Sequence, residues 1–223
     1  MREWAGELVD FDLATTDLLV RQTVGVVPAS VRLVLDMAKD GVKLTPGGRL
    51  PRVFVRQVQA QRPHWHHFGR PAATEGDLSP LAALHEVLRS VGLLRLSKGI
   101  LRPTKAAADD VQVVRRLRSW FLPDDSFEAI LAGVTVAVLV AKGPLPSAEL
   151  ATEVFPMLGH RWMFDGHPLT DMDVRLSIAG ATSVLTGLDL IETDWPLYQT
   201  GASARTLLPR ATALAHLWCV SPR

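Results

Sequence analysis

From Ser79 the apolar positions Leu81, Leu84, Val87, Leu88 and Val91 recur every three or four residues, with Glu86, Arg89 and Ser90 between them. That spacing predicts a helix with one apolar stripe, opened by Ser79 as N-cap and Pro80 at the first helical position and stopped by Gly92. Leu93, Leu94 and Leu96 then run into the turn signal Ser97-Lys98-Gly99, and Ile100 and Leu101 run out toward Pro103, which predicts a β-hairpin.

Other elements follow from the same patterning. A short helix is expected near Ala14 to Gln22, and another from Pro28-Ala29-Ser30 to Asp40-Gly41, with Val31, Val34, Leu35 and Ala38 on its buried face. Val42-Lys43-Leu44 reads as a short strand, Thr45-Pro46-Gly47-Gly48 as a turn, and Leu50 to Ala60 as a helix. Lys105 to Leu122 is expected to close this first unit with Val111, Val114, Leu117, Trp120 and Phe121 inward. After the turn Pro123 to Ser126, Phe127 to Lys142 is apolar nearly all round, the mark of a helix packed centrally or against a partner. Ser147 opens a helix to about Met157, and Thr170 or Asp171 opens another. Leu190-Ile191 begins a strand, Asp194 to Ser203 is expected to form a longer wing, Arg205 to Leu208 to return from it, and Pro209 to start a last helix reaching Trp218.

Adding 97 to Leu81, Leu84, Val87, Leu88 and Val91 gives Ile178, Ala181, Val184, Leu185 and Leu188, all apolar. The same offset carries Gly69 onto Gly166 and Pro71 onto Pro168, and an offset of 96 carries His64 onto His160 and Phe68 onto Phe164. Two degenerate copies of one module are therefore expected, with residues 1–122 holding an N-terminal segment and the first copy and residues 123–223 the second. Around the repeated loop, Trp65 and Trp162 join Phe68 and Phe164 as aromatics expected to cover the edge of the core.

Ser79 to Thr104, and more weakly Thr170 to Arg210, resemble winged helix-turn-helix proteins. The resemblance implies a mainly α fold with small β-hairpin wings, two tandem winged-helix-like modules, and nucleic acid as a partner. Gly41 to Arg52 and Val91 to Lys105 also look like segments of uncharacterised bacterial plasmid-associated proteins, a likeness that transfers no catalytic residue.

Composition narrows the picture. A chain of 223 residues accommodates two such modules, and its single cysteine, Cys219, leaves neither an internal disulfide nor a cysteine zinc cluster, which favours the cytoplasm. The opening residues lack the layout of a signal peptide, and Phe127 to Ala141, with Glu128 inside it, falls short of the roughly 20 residues that cross a bilayer; no membrane partner is expected. Net charge is +1, but residues 1–123 carry 18 Lys+Arg against 12 Asp+Glu and residues 124–223 carry 6 against 11. The halves are electrically opposite, a bias that either orients the modules against each other or suits the first to an anionic partner, with the acidic second expected to contact protein.

No carboxylate lies between Asp40 and Glu75, whereas Lys43, Arg49, Arg52, Arg56, Arg62 and Arg70 do, with Trp65 and Phe68 among His64, His66 and His67. Together with Arg89 and with Arg95, Lys98 and Arg102 of the hairpin, these cations and Trp65 form the candidate nucleic-acid site, since basic groups neutralise phosphates and exposed aromatics stack on bases. The alternative is a solvated basic face with Trp65 buried and pinning its loop. Against readout of bases, Ser79 to Ser90 offers only His85 and Arg89 beside Glu86, and the second helix offers Asp171, Asp173 and Arg175. The His64, His66, His67 cluster matches no zinc spacing, Cys219 with His216 reads as packing, and no P-loop, dinucleotide glycine pattern, Gly-x-Ser-x-Gly or His-Glu-x-x-His is present. The expectation is a non-enzymatic binding protein with no cofactor or metal. Its function is either nucleic-acid binding through the basic first module or a protein-interaction role, most simply a homodimer built on the apolar Phe127 helix.

Overall fold

The computed structural model describes residues 26–65, 70–121, 126–158, 162–164, 166–194 and 196–212. The helix expected at 14–22, the linker at 123–125 and most of the helix expected after Pro209 lie outside these residues, although 209–212 are helical. The described part is mainly helical with small antiparallel sheets.

The first half runs α1 (Ala29–Met37), β1 (Val42–Lys43), α2 (Arg52–Gln61), α3 (Ser79–Ser90), β2 (Leu94–Ser97), β3 (Ile100–Pro103) and α4 (Asp110–Ser119). The second runs α5 (Phe127–Lys142), β4 (Leu145–Pro146), α6 (Ser147–Leu158), the β5 (Met163–Phe164) and β6 (His167–Pro168) hairpin, α7 (Asp171–Gly187), β7 (Ile191–Asp194), β8 (Leu197–Thr200) and α8 (Ala204–Leu207). Each half holds a three-stranded antiparallel sheet in which the last strand is central, β1-β3-β2 in one and β4-β8-β7 in the other.

Local chemistry sets the helix ends. Gly92 takes a φ of +70°, so the Leu93 N–H returns to the Leu88 carbonyl at 2.8 Å and α3 ends where glycine permits a left-handed residue. Ser79 lies in the first turn of α3, and Leu78 occupies the cap position. Asp109, not the stretch from Lys105, starts α4: its carboxylate accepts from the N–H of Val111 at 2.9 Å and of Gln112 at 3.4 Å, while Lys105–Ala108 forms a separate 3-10 turn. That start rotates the buried face to Val113, Val114, Leu117 and Arg118, and leaves Val111 and Trp120, expected inside, exposed. In the second half the wing is a tight hairpin over Ile191–Thr200, and the Arg205 segment is a short helix instead of a returning strand.

One apolar cluster runs through both halves, from Val31, Val34 and Leu35 of α1 through Leu81, Leu84 and Leu88 of α3 to Ile178 and Leu185 of α7. α7 packs against α3, α5 and α6. In α5, Leu131, Ala132, Val134, Thr135, Val136, Ala137, Val138 and Leu139 are all buried within this chain. Its apolar surface, the warrant for expecting a homodimer, is therefore consumed internally.

Polar joints cross between the halves. Pro28 gives α1 no side-chain cap, and Asp189 supplies one from the far half: its Oδ2 accepts from the Ser30 N–H at 2.9 Å. Asp189 has a φ of +53°, a left-handed conformation that Asp tolerates better than most residues. Arg62 lies against the same carboxylate at 3.3 Å. Buried Arg118 donates from Nε to the Thr206 carbonyl at 2.7 Å, and burial pulls its pKa down from the usual arginine range.

Candidate nucleic-acid interface

Strand register decides which cations share a face. Val42 pairs with Leu101 and Leu101 with Leu96, while Lys43 pairs with Ile100 and Arg95 with Arg102. Because side chains alternate across a strand, Leu101 and Val42 turn into the core and Lys43, Ile100, Arg95 and Arg102 share the outer face. Lys43, Arg95 and Arg102 are exposed. Lys98, at φ +49°, and Gly99, at φ +76°, form the two-residue turn joining the strands, so Lys98 stands exposed at the sheet's end. At Gly41, in line with Arg102, a Cβ would sit 2.8 Å from Arg102 Nε, so glycine leaves the space that the guanidinium occupies.

A second basic group precedes and opens α2. The Thr45 N–H donates to the Arg49 carbonyl at 2.9 Å and the Arg49 N–H to the Thr45 hydroxyl at 3.2 Å, closing the loop that presents Arg49. Arg52 and Arg56 follow on the exposed side of α2, opposite Phe54, Val55 and Val58. Arg52 Nε donates weakly to the Ala73 carbonyl at 3.4 Å. Arg70 and Arg89 are also exposed, and the positive charge of Arg70 is felt by Asp77. Among the described residues, Lys43, Arg49, Arg52, Arg56, Arg89, Arg95, Lys98 and Arg102 make no ion pair with a carboxylate.

Two residues of the candidate set belong to the interior. Trp65 is 2 % exposed and cannot stack on a base in this conformation; it pins its loop, as the packing alternative requires. Arg62 lies 5.7 Å over the Trp65 ring and is engaged by Asp189, so it joins the two halves instead of facing solvent. His85 is also withdrawn. Its Nδ1 lies 2.7 Å from Glu75 Oε1, both residues are buried, and Glu75 Oε2 accepts from the Leu50 N–H at 2.9 Å. This buried pair ties the approach to α2 onto α3.

α3 and α7, which offer few base-reading side chains, pack onto each other. A Cβ on Gly187, at the C-terminus of α7, would lie 2.6 Å from the Pro80 carbonyl oxygen and 3.3 Å from Leu84 Cβ, so α7 approaches the N-terminal half of α3 as closely as backbone allows. On α3 only Ser79, Glu86, Arg89 and Ser90 are fully exposed. α7 turns outward Asp171, Met172, Arg175 and Leu176. Thr170 and Asp173 form its capping box: the Thr170 hydroxyl, at 2.6 Å, and then the Thr170 N–H, at 2.9 Å, hold the Asp173 carboxyl below the ordinary carboxylate range.

His64 and His167 are exposed, while His66, His67, Phe68, His160, His216 and Cys219 lie outside the described residues. Among the described residues no three His, Cys, Asp or Glu side chains gather in a metal-holding group, and no helix is long and apolar enough to cross a membrane.

No curated protein and no solved structure matches the chain. Residues 24–115 match the Y4jL N-terminal domain, an uncharacterised bacterial family, and the matched segment contains β1, α3, the first hairpin and both stretches, Gly41 to Arg52 and Val91 to Lys105, that resemble bacterial proteins of no settled activity.

Proposed function

We propose that the chain is a non-enzymatic nucleic-acid-binding protein made of two winged-helix-like modules, and that it binds through the first. The observation that carries this reading is the solvent-facing group Lys43, Arg95, Lys98 and Arg102 on one small sheet, unmatched by carboxylates among the described residues. Like charges opposite one another across two strands, as at Arg95 and Arg102, weaken a sheet and are tolerated at lower cost when an anion sits over them. The module reading is supported by the shared order of helix, strand, helix, helix and hairpin, and by the central last strand of both sheets.

Counterion release tests the proposal. With three or four cations on phosphates, log K against log salt should fall with a slope of roughly −2.7 to −3.6, or about a 40- to 150-fold loss from 50 to 200 mM salt. Fluorescence anisotropy with labelled oligonucleotides reads this directly. No association at low ionic strength refutes the proposal.

A further inference from the structure

Resting on that reading, we infer that the partner is duplex DNA held by its phosphate backbone on the outer face of the β1-β3-β2 sheet, with α3 outside the groove, so that binding is independent of base sequence. A helix that reads bases enters a major groove about 12 Å wide and usually presents its N-terminal residues to the base edges. Here that end of α3 is the part covered by α7, where Gly187 abuts Pro80 and Leu84. One helix with its side chains is already about 10 to 12 Å across, and a partner 8 to 10 Å away makes a wall of roughly 20 Å, too broad for the groove. The residues that remain exposed on α3 add one acid, Glu86, against one base, Arg89.

The sheet has the complementary property. Strands of four residues make a face about 13 Å long, which along a duplex axis opposes roughly seven or eight phosphate charges, more than enough for its cations. Its outer face carries Lys43, Ser97, Ile100, Arg95 and Arg102 and no aromatic ring, and Trp65 is buried, so the stacking that holds single strands has no platform there. Cations without base-edge geometry position a backbone and read no sequence.

The test uses the full chain, two 20-base-pair DNA duplexes of unrelated sequence, one 20-nucleotide single strand, and the variants R95Q/R102Q, R95K/R102K and R89Q. The wild type should bind both duplexes within about twofold and more tightly than the single strand. R95Q/R102Q should lower the magnitude of the salt slope by about 1.8, R95K/R102K should restore it, and R89Q should move it by less than half as much. Replacing the opposed arginines removes a cross-strand repulsion, so the Gln variant should melt no lower than wild type; should it unfold, the single variant R95Q, expected to lower the slope by about 0.9, set against R89Q still ranks sheet against helix. A tenfold preference for one duplex, tighter single-strand binding, an unchanged slope in R95Q/R102Q or a larger loss in R89Q overturns the inference and leaves nucleic-acid binding standing. Binding to none of the three probes removes the function itself.

Discussion

Consider Gly187→Ala and Gly180→Ala, each of which adds one methyl group to α7. Gly180 is exposed, a Cβ there meets nothing within 4 Å, and exchanging a helical glycine for alanine stabilises by about 1 kcal/mol. Gly187 gains the same backbone benefit, but its methyl would lie 2.6 Å from the Pro80 carbonyl oxygen, a backbone atom in the first turn of α3 that cannot rotate away, and 3.3 Å from Leu84 Cβ. The helices must separate, and because the clash is with backbone its cost lies in the upper part of the overpacking range, about 2–3 kcal/mol, which less the backbone benefit of about 1 kcal/mol leaves a net loss of about 1–2 kcal/mol. In a chain of this size that lowers the melting temperature by roughly 2–8 °C, while G180A raises it by about 2–4 °C. Urea denaturation followed by circular dichroism should show midpoints displaced in opposite directions, with the double variant near the sum because the sites are about 10 Å apart. A G187A midpoint at or above wild type would show that α3 and α7 are not held as closely as described, and would remove the steric argument against groove reading.

Two further outcomes follow from the polar joints. Asp189→Asn keeps an acceptor for the Ser30 N–H and a side chain suited to positive φ but loses the charge facing Arg62, so it should cost about 1 kcal/mol; Asp189→Ala loses all three and should cost about 3 kcal/mol, and equal urea midpoints for the two would refute the trans-capping role. The Asp77 carboxyl is held below the usual range first by the Thr74 N–H and then by the Ala73 N–H, and Asp173 by the Thr170 hydroxyl and N–H. Both bind protons less readily folded than unfolded. Their stabilisation is therefore complete above the unfolded carboxylate pKa of about 4 and is lost as pH falls through the lower folded values. Urea midpoints from pH 6 to pH 3 should drop less steeply in D77N/D173N than in wild type, and parallel curves would contradict the assignment.

Legibility in the sequence depended on how local the deciding interaction is. The bounds of α3 were readable because Pro80 and Gly92 act on their own backbone, and α5 was readable because its apolar run admits only burial. The face of α4 does not follow from a start at Lys105, because the side chain of Asp109 fixes the register a few residues later. The second wing is expected to run from Asp194 to Ser203, whereas the hairpin ends at Thr200, where the Gly201 N–H donates to the Leu190 carbonyl at 2.8 Å and the Ser203 N–H to the Asp189 carbonyl at 2.9 Å, contacts that no local pattern announces. At the candidate site, exposed Lys43, Arg95 and Arg102 follow from charge and strand alternation. The fates of Arg62 and Trp65 do not, because the partner that draws Arg62 inward stands 127 residues away.

The cap that Asp189 places on α1 bears on where the chain can be divided. The segment 24–115 that matches the Y4jL N-terminal domain begins before α1 and stops inside α4. Excised at those limits, it would leave the Ser30 N–H without its acceptor, strip α7 from Pro80 and Leu84, and cut α4 before Leu117 and Arg118. The stretch that matches the family model and the stretch that satisfies its own backbone are thus of different lengths, and a fragment drawn to the first would carry the second's open seams.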